Sequence, residues 1–102
     1  KKDFIKRLVG LPEDCIQIID GKIYVNNKLL DSPDFAGRFY YNRGDFGREG
    51  EVIVVPKNSF YCLGDNSASS HDSRYWGFVP AKNVLGEAFF IWWPINRIRV
   101  LR

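Results

Sequence analysis

Residues Cys15-Ile16-Gln17-Ile18-Ile19-Asp20-Gly21-Lys22-Ile23-Tyr24-Val25-Asn26-Asn27-Lys28-Leu29-Leu30 decide the fold class of this chain. Two β-rich runs flank Asp20-Gly21, a pair that accepts the backbone of a tight hairpin turn. Asn26-Asn27 repeats the device into Lys28-Leu29-Leu30, because asparagine tolerates positive φ. The stretch therefore predicts strands at Cys15 to Ile19, Lys22 to Val25 and Lys28 to Leu30.

The same texture runs outward from it. Upstream, Phe4 to Val9 reads as a strand, broken by Gly10-Leu11-Pro12. Downstream strands are predicted at 51–56, 59–63, 75–80, 86–93 and 97–101. No window keeps a helical period, and at most residues 81–84 form one turn. From Asp31 to Gly50 the pattern degrades, with only Arg38-Phe39-Tyr40-Tyr41 strand-like. Arg43-Gly44-Asp45 reads as a turn there. The predicted fold is all-β, a small barrel or sandwich of many short antiparallel strands. It forms one β-domain over residues 1–102, with a minor irregular excursion at about 31–50.

Composition limits the function classes. The chain has 102 residues, 45% hydrophobic and 16% aromatic, which supports a core and argues against disorder. Net charge is +3 without a basic run, so nucleic-acid binding is not expected. No stretch reaches the length of a membrane span. One histidine and two cysteines make no metal cluster. Cys15 and Cys62 read as unpaired core thiols, although a bridge closing so long a loop could contribute about 4 kcal/mol. The chain opens at Lys1-Lys2-Asp3 without an initiator methionine, as an excised piece of a longer protein would.

Two segments carry chemistry. In the first, Lys6 and Arg7 interrupt an apolar strand between Phe4-Ile5 and Leu8-Val9, ahead of Gly10-Leu11-Pro12-Glu13-Asp14. Neighbouring strand residues face opposite ways, so one of the two cations can face inward. In the second, Gly64-Asp65-Asn66 leads through Ser67-Ala68-Ser69 to Ser70-His71-Asp72-Ser73-Arg74-Tyr75-Trp76-Gly77-Phe78-Val79-Pro80. Loops between strands often hold binding and catalytic groups. Taken singly, each segment also has a plain structural reading: a lysine on a solvated strand face, and a polar loop held by Asx and Ser turns.

Together, and in this order, they resemble the motifs of bacterial type I signal peptidases. That family has a lysine-arginine strand running into Gly-x-Pro-Gly-Asp. Its later motif is Gly-Asp-Asn, a short gap, then Ser-x-Asp-Ser-Arg-Tyr-Trp-Gly-x-Val-Pro. The resemblance covers most of the chain and is weakest from Asp31 to Gly50. It implies a serine endopeptidase with a Ser-Lys dyad, acting on the signal peptides of exported preproteins. Lys6 falls on the general base, and Ser70 on the serine that orients it. Asp72 and Arg74 fall on the charged pair that braces the site. Asp65 is expected to pair with Arg7, and Phe4 and Ile5 to border the substrate cleft. No cofactor is implied. The implied location is the bacterial plasma membrane, with the catalytic domain on its extracytoplasmic side.

Two departures matter. Glu13 stands where the family has glycine, and Pro-Glu suits a type I turn, whereas Pro-Gly suits type II. The family's nucleophile lies upstream of the lysine in a Ser-Met-x-Pro segment, which nothing before Lys6 matches. The 102 residues are therefore expected to be inactive as they stand.

The chemistry asks for these residue types. A lysine base must be neutral, and free lysine, titrating near about 10.4, is almost wholly charged at pH 7. An apolar setting lowers that value, whereas a carboxylate in contact raises it. Asp72 is accordingly expected to face Arg74 and not Lys6. Ser70-His71-Asp72 is no catalytic triad, because adjacent residues cannot readily converge on one reacting centre. Trp92-Trp93-Pro94 reads equally as core or as a tip in the membrane interface. An edge left bare by a missing upstream strand predicts dimerisation of the isolated piece. Two other readings stay open: a self-cleaving Ser-Lys protease of similar fold, and a non-catalytic β-domain that binds extended peptides.

Overall fold

A computed structural model describes residues 4–30, 35, 37–64, 72–82 and 89–92, the backbone alone for 4–6 and 89–92. Among the described residues, eight strands run in the order β1 (Phe4–Gly10), β2 (Cys15–Ile19), β3 (Lys22–Val25), β4 (Lys28–Leu29), β5 (Ile53–Val54), β6 (Ser59–Gly64), β7 (Val79–Pro80) and β8 (Phe89–Trp92). A short helix, α1 (Ser73–Trp76), lies between β6 and β7, and Ala81 and Lys82 are also helical. The strands form two four-stranded sheets, ordered β7-β6-β1-β8 and β4-β3-β2-β5. All pairings are antiparallel except β1 with β8, which is parallel and sets Lys6 beside Ile91 and Arg7 beside Trp92.

The second sheet follows its turn chemistry. Asp20 and Gly21 have φ of 52° and 80°, and Asn26 and Asn27 have 52° and 69°. Positive φ at both central residues lets the connection match the twist of its strands. Ile16, Ile18, Ile23 and Val25 are buried, while the residues between them are exposed or half-buried, the alternation of a sheet covered on one face.

The main core sits between the sheets. Val9, Tyr61 and Leu63 of the first sheet meet Ile16, Ile18, Ile23 and Val25 of the second, with Leu30, Phe35, Tyr40 and Val55 closing the cluster. A second cluster of Leu8, Leu11, Phe60, Cys62 and Val79 covers the other face of β1 and β6. Both faces of β6 are thus buried, which is why Phe60-Tyr61-Cys62-Leu63 shows no polar alternation. Each such aliphatic side chain contributes about 1.5–3 kcal/mol on burial.

Several expectations need correction. Glu13 has φ 73°, so the Pro12-Glu13 turn keeps the type II shape and the predicted change to type I does not occur. The turn is held from several sides. Asp14 N–H donates to the Leu11 carbonyl (2.9 Å), and Glu13 N–H donates to the Val55 carbonyl (2.7 Å). Val55 N–H returns a bond to the Asp14 carbonyl (2.9 Å). The Asp14 carboxylate also accepts from the Leu11 N–H (2.8 Å) and the Asn26 amide (2.9 Å). These bonds outweigh the ~1–2 kcal/mol that a side chain costs at positive φ.

Tyr75 and Trp76 lie in α1 instead of a strand, and only Val79–Pro80 of the predicted 75–80 run pairs. Asp72 caps the helix and Gly77, at φ 87°, ends it. Arg38 to Tyr41 form no strand, although Tyr40 N–H donates to the Gly21 carbonyl at the tip of the β2–β3 hairpin (3.0 Å). Cys15 and Cys62 form no disulfide, as expected, but Cys15 is only half-buried. The predicted strand at 97–101, and Trp93 and Pro94, lie outside the described residues. Among the described residues, no helix is long and apolar enough to cross a membrane.

Candidate active site

β1 and β6 bring the two chemistry-bearing segments together. Their antiparallel register sets Lys6 opposite Gly64, the last residue of β6. Gly64 and Asp72 flank, in the sequence, the expected loop that contains Asp65 and Ser70. Asp65, Ser70 and His71 lie outside the described residues, and so do the side chains of Phe4, Ile5 and Lys6. Arg7 is described: it is half-buried on β1, opposite Leu63 and beside Trp92.

The loop is closed at its base by one carboxylate. Asp72 Oδ2 accepts from the Gly64 N–H (2.9 Å) and from Arg74 Nη2 (3.0 Å). Asp72 Oδ1 accepts from Arg74 Nε (3.0 Å) and from the Arg74 backbone N–H (3.1 Å). This is a two-pronged guanidinium–carboxylate contact, among the strongest hydrogen-bonded pairs. Both side chains are fully buried. Burial pushes the Asp72 carboxyl up, but the Arg74 hydrogen bonds, the Gly64 amide and the Arg74 charge together hold it below its ordinary value. Asp72 therefore stays ionised at neutral pH and faces Arg74, as its residue type predicted.

Arg74 reaches into the irregular segment. Its Nη1 donates to the Tyr41 carbonyl (2.9 Å), and its guanidinium lies 5.6 Å from the Tyr40 ring centroid and 6.0 Å from that of Tyr75. Cation–π contacts of this length add modestly to a desolvated arginine. Phe46 N–H donates to the Arg74 carbonyl (2.9 Å), and Tyr61 Oη donates to the Phe46 carbonyl (2.7 Å). Burial pushes the Tyr61 phenol well up, which keeps it a donor at ordinary pH. Gly44 packs so close that a Cβ there would come within 2.1 Å of the Arg74 carbonyl oxygen. Ser73 Oγ accepts from the Cys62 N–H (2.8 Å), tying α1 to β6.

Residues of the expected excursion thus form a wall around Arg74. Tyr40, Tyr41, Gly44, Phe46 and Tyr61 carry that wall and were not singled out from sequence. The signal available was the five aromatic residues Phe35, Phe39, Tyr40, Tyr41 and Phe46 within a segment otherwise rich in polar residues and glycine. A cavity of about 320 Å3 opens elsewhere, against β3 and β4, lined by Ile23, Leu29, Leu30, Phe35 and Phe39 among others. Among the described residues, Tyr40 borders it, whereas Arg7, Asp72 and Arg74 do not. No cluster of three metal-ligating side chains occurs among the described residues.

The family model of signal peptidase, peptidase S26, matches residues 1–93. This chain belongs to the peptidase S26 family. The probable signal peptidase I-2 of Synechocystis sp. is 42% identical over 98 residues, covering 96% of this chain and 42% of that protein. Signal peptidase I of Leptolyngbya laminosa is 37% identical over 95 residues, covering 93% of this chain and 43% of its own. The crystal structure of a signal peptidase I from Enterococcus faecalis V583 matches with a TM-score of 0.59 and 29% identity, over 74% of each chain. The present chain spans less than half the length of the first two relatives. Membership in S26 accounts for the two-sheet fold and for both motifs. The self-cleaving Ser-Lys protease of similar fold is set aside by it.

Proposed function

We propose that these 102 residues form part of the extracytoplasmic catalytic domain of a membrane-bound serine endopeptidase that removes signal peptides from exported preproteins. The register that sets Lys6 opposite Gly64, at the mouth of the loop carrying Ser70, is the observation that supports this best. Lys6, neutral in the working state, takes the proton of a serine hydroxyl supplied by a segment outside these motifs. That oxygen attacks the scissile carbonyl, and the lysine returns the proton to the departing amine. Water then releases the acyl group by the same base. Ser70 orients the amine without adding charge. Asp72, neutralised by Arg74, closes the loop without offering the lysine a competing anion. An extended substrate pairs with strand edges beside Phe4 and Ile5, where main-chain bonds supply affinity and shallow pockets supply selectivity.

The test uses the whole parent protein in membrane vesicles with a radiolabelled preprotein. Lys6→Ala is expected to slow processing about 10²–10⁴-fold, the usual contribution of a general base. Undiminished processing by Lys6→Ala overturns the reading. Membrane contact through Trp92-Trp93-Pro94 belongs to the same proposal and is checked by liposome binding after both tryptophans are changed to serine. Pairing of two isolated chains through a sheet edge is checked by light scattering, where a monomer at high concentration counts against it.

A further inference from the structure

We infer that Tyr40 is a positioning residue for the catalytic lysine, acting through the Gly64 carbonyl; this rests on the peptidase reading of Lys6. Tyr40 lies 24 positions before Gly64, in the irregular segment, and is 1% exposed. Its Oη donates to the Gly64 carbonyl at 2.9 Å. Gly64 is thereby gripped at both ends of its peptide frame, the N–H by Asp72 Oδ2 and the carbonyl by Tyr40. It is also the residue opposite Lys6 in the β1–β6 ladder, six positions before Ser70 in the sequence.

The hydroxyl is fixed by its surroundings. Tyr40 packs in the main core against Phe35, with ring centroids 6.2 Å apart, and under the Arg74 guanidinium. Its own N–H is tied to Gly21, so the backbone cannot drift from the β2–β3 hairpin. The second sheet therefore holds the end of β6 through one side chain. A base must meet its proton donor within a few tenths of an ångström, and small displacements of a support cost rate out of proportion to stability. Loss of the bond lets the end of β6 and water shift at the lysine, which favours its charged form.

The experiment is Tyr40→Phe in the whole parent protein, with kcat and KM for a signal-sequence peptide measured from pH 6 to 10. Expected are a fall in kcat of about tenfold with KM nearly unchanged, and an acidic limb moved up by about half a pH unit. Ile23→Val, a core change in the second sheet away from Gly64, serves as the stability-matched control and is expected to leave the limb in place. Tyr40→Phe with wild-type kcat and limb, while wild type cleaves the peptide, overturns this inference alone. A wild type that cleaves no signal-sequence peptide overturns the peptidase reading instead. Should Tyr40→Phe not fold, NMR of the unaltered chain decides. A slowly exchanging Tyr40 hydroxyl proton close to the Gly64 α-protons is expected, and a freely exchanging one overturns the inference.

Discussion

Removing the Asp72 carboxylate should come close to unfolding this chain. In Asp72→Ala, Arg74 keeps its charge inside a fully buried position. It retains the Tyr41 carbonyl and the faces of two tyrosines, while Nε and Nη2 lose the carboxylate. The Gly64 N–H and the helix-capping bond to Arg74 N–H are lost in the same step. Breaking a buried ion pair by deleting one partner costs about 3–5 kcal/mol. The cap alone is worth about 1 kcal/mol, and it shares the same oxygens, so the two do not simply add. A domain of this size has only about 5–15 kcal/mol of stability in total. Each kcal/mol moves Tm by about 4–8 °C. Urea titration followed by tryptophan fluorescence at pH 7 reads the loss. In a double-mutant cycle, Asp72→Ala with Arg74→Ala should cost less than the two single changes together, by about 2–3 kcal/mol, because no orphan charge remains. A loss below about 1 kcal/mol for Asp72→Ala, the scale of an exposed pair, would refute the reasoning.

Further outcomes follow from the same geometry. The folded Asp72 carboxyl titrates below its unfolded value of about 3.9, so its stabilisation is complete above that pH and is lost as pH falls through the lower folded value. The difference in urea midpoint between wild type and Asp72→Asn should be constant from pH 7 to about 4 and shrink below; a difference that shrinks near neutrality contradicts this. Glu13→Gly should raise stability by about 0.5–1 kcal/mol, because φ 73° suits glycine and the Lys57–Glu13 contact at 4.0 Å is exposed and weak. An equal or lower urea midpoint counts against it. Gly44→Ala should cost more than about 2 kcal/mol, since the new Cβ meets the Arg74 carbonyl and φ is +75°; a change within 0.5 kcal/mol, the range of a surface site, would mean the segment yields easily.

Local chemistry made much of this protein legible from sequence. Asp20-Gly21 and Asn26-Asn27 dictate two turns with positive φ, and the isoleucines and valines between them can bury only one face; those elements appear as expected. The facing of Asp72 toward Arg74 was expected from the family resemblance, which assigns them to a bracing charged pair, and the two side chains do meet. The four-residue helix α1 was not expected, since one turn has no period to detect, although Asp72 and Gly77 are its cap residues. Glu13 shows the limit in the other direction. The Pro-Glu dipeptide prefers a type I turn by itself, yet hydrogen bonds from Val55 and Leu11, remote or weak in local pattern, impose φ 73°.

The sequence by itself determined the β texture and the two hairpins, because each depends on a few neighbouring residues. Only the tertiary structure decided that β1 pairs with β6 so that Lys6 meets Gly64. It alone showed that Tyr40, Tyr41 and Phe46, from a segment with no regular pattern, hold Gly64 and Arg74. The physical reason is that a buried tyrosine hydroxyl or backbone carbonyl acts through whatever the fold brings within about 3 Å, and nothing in the local sequence encodes that partner.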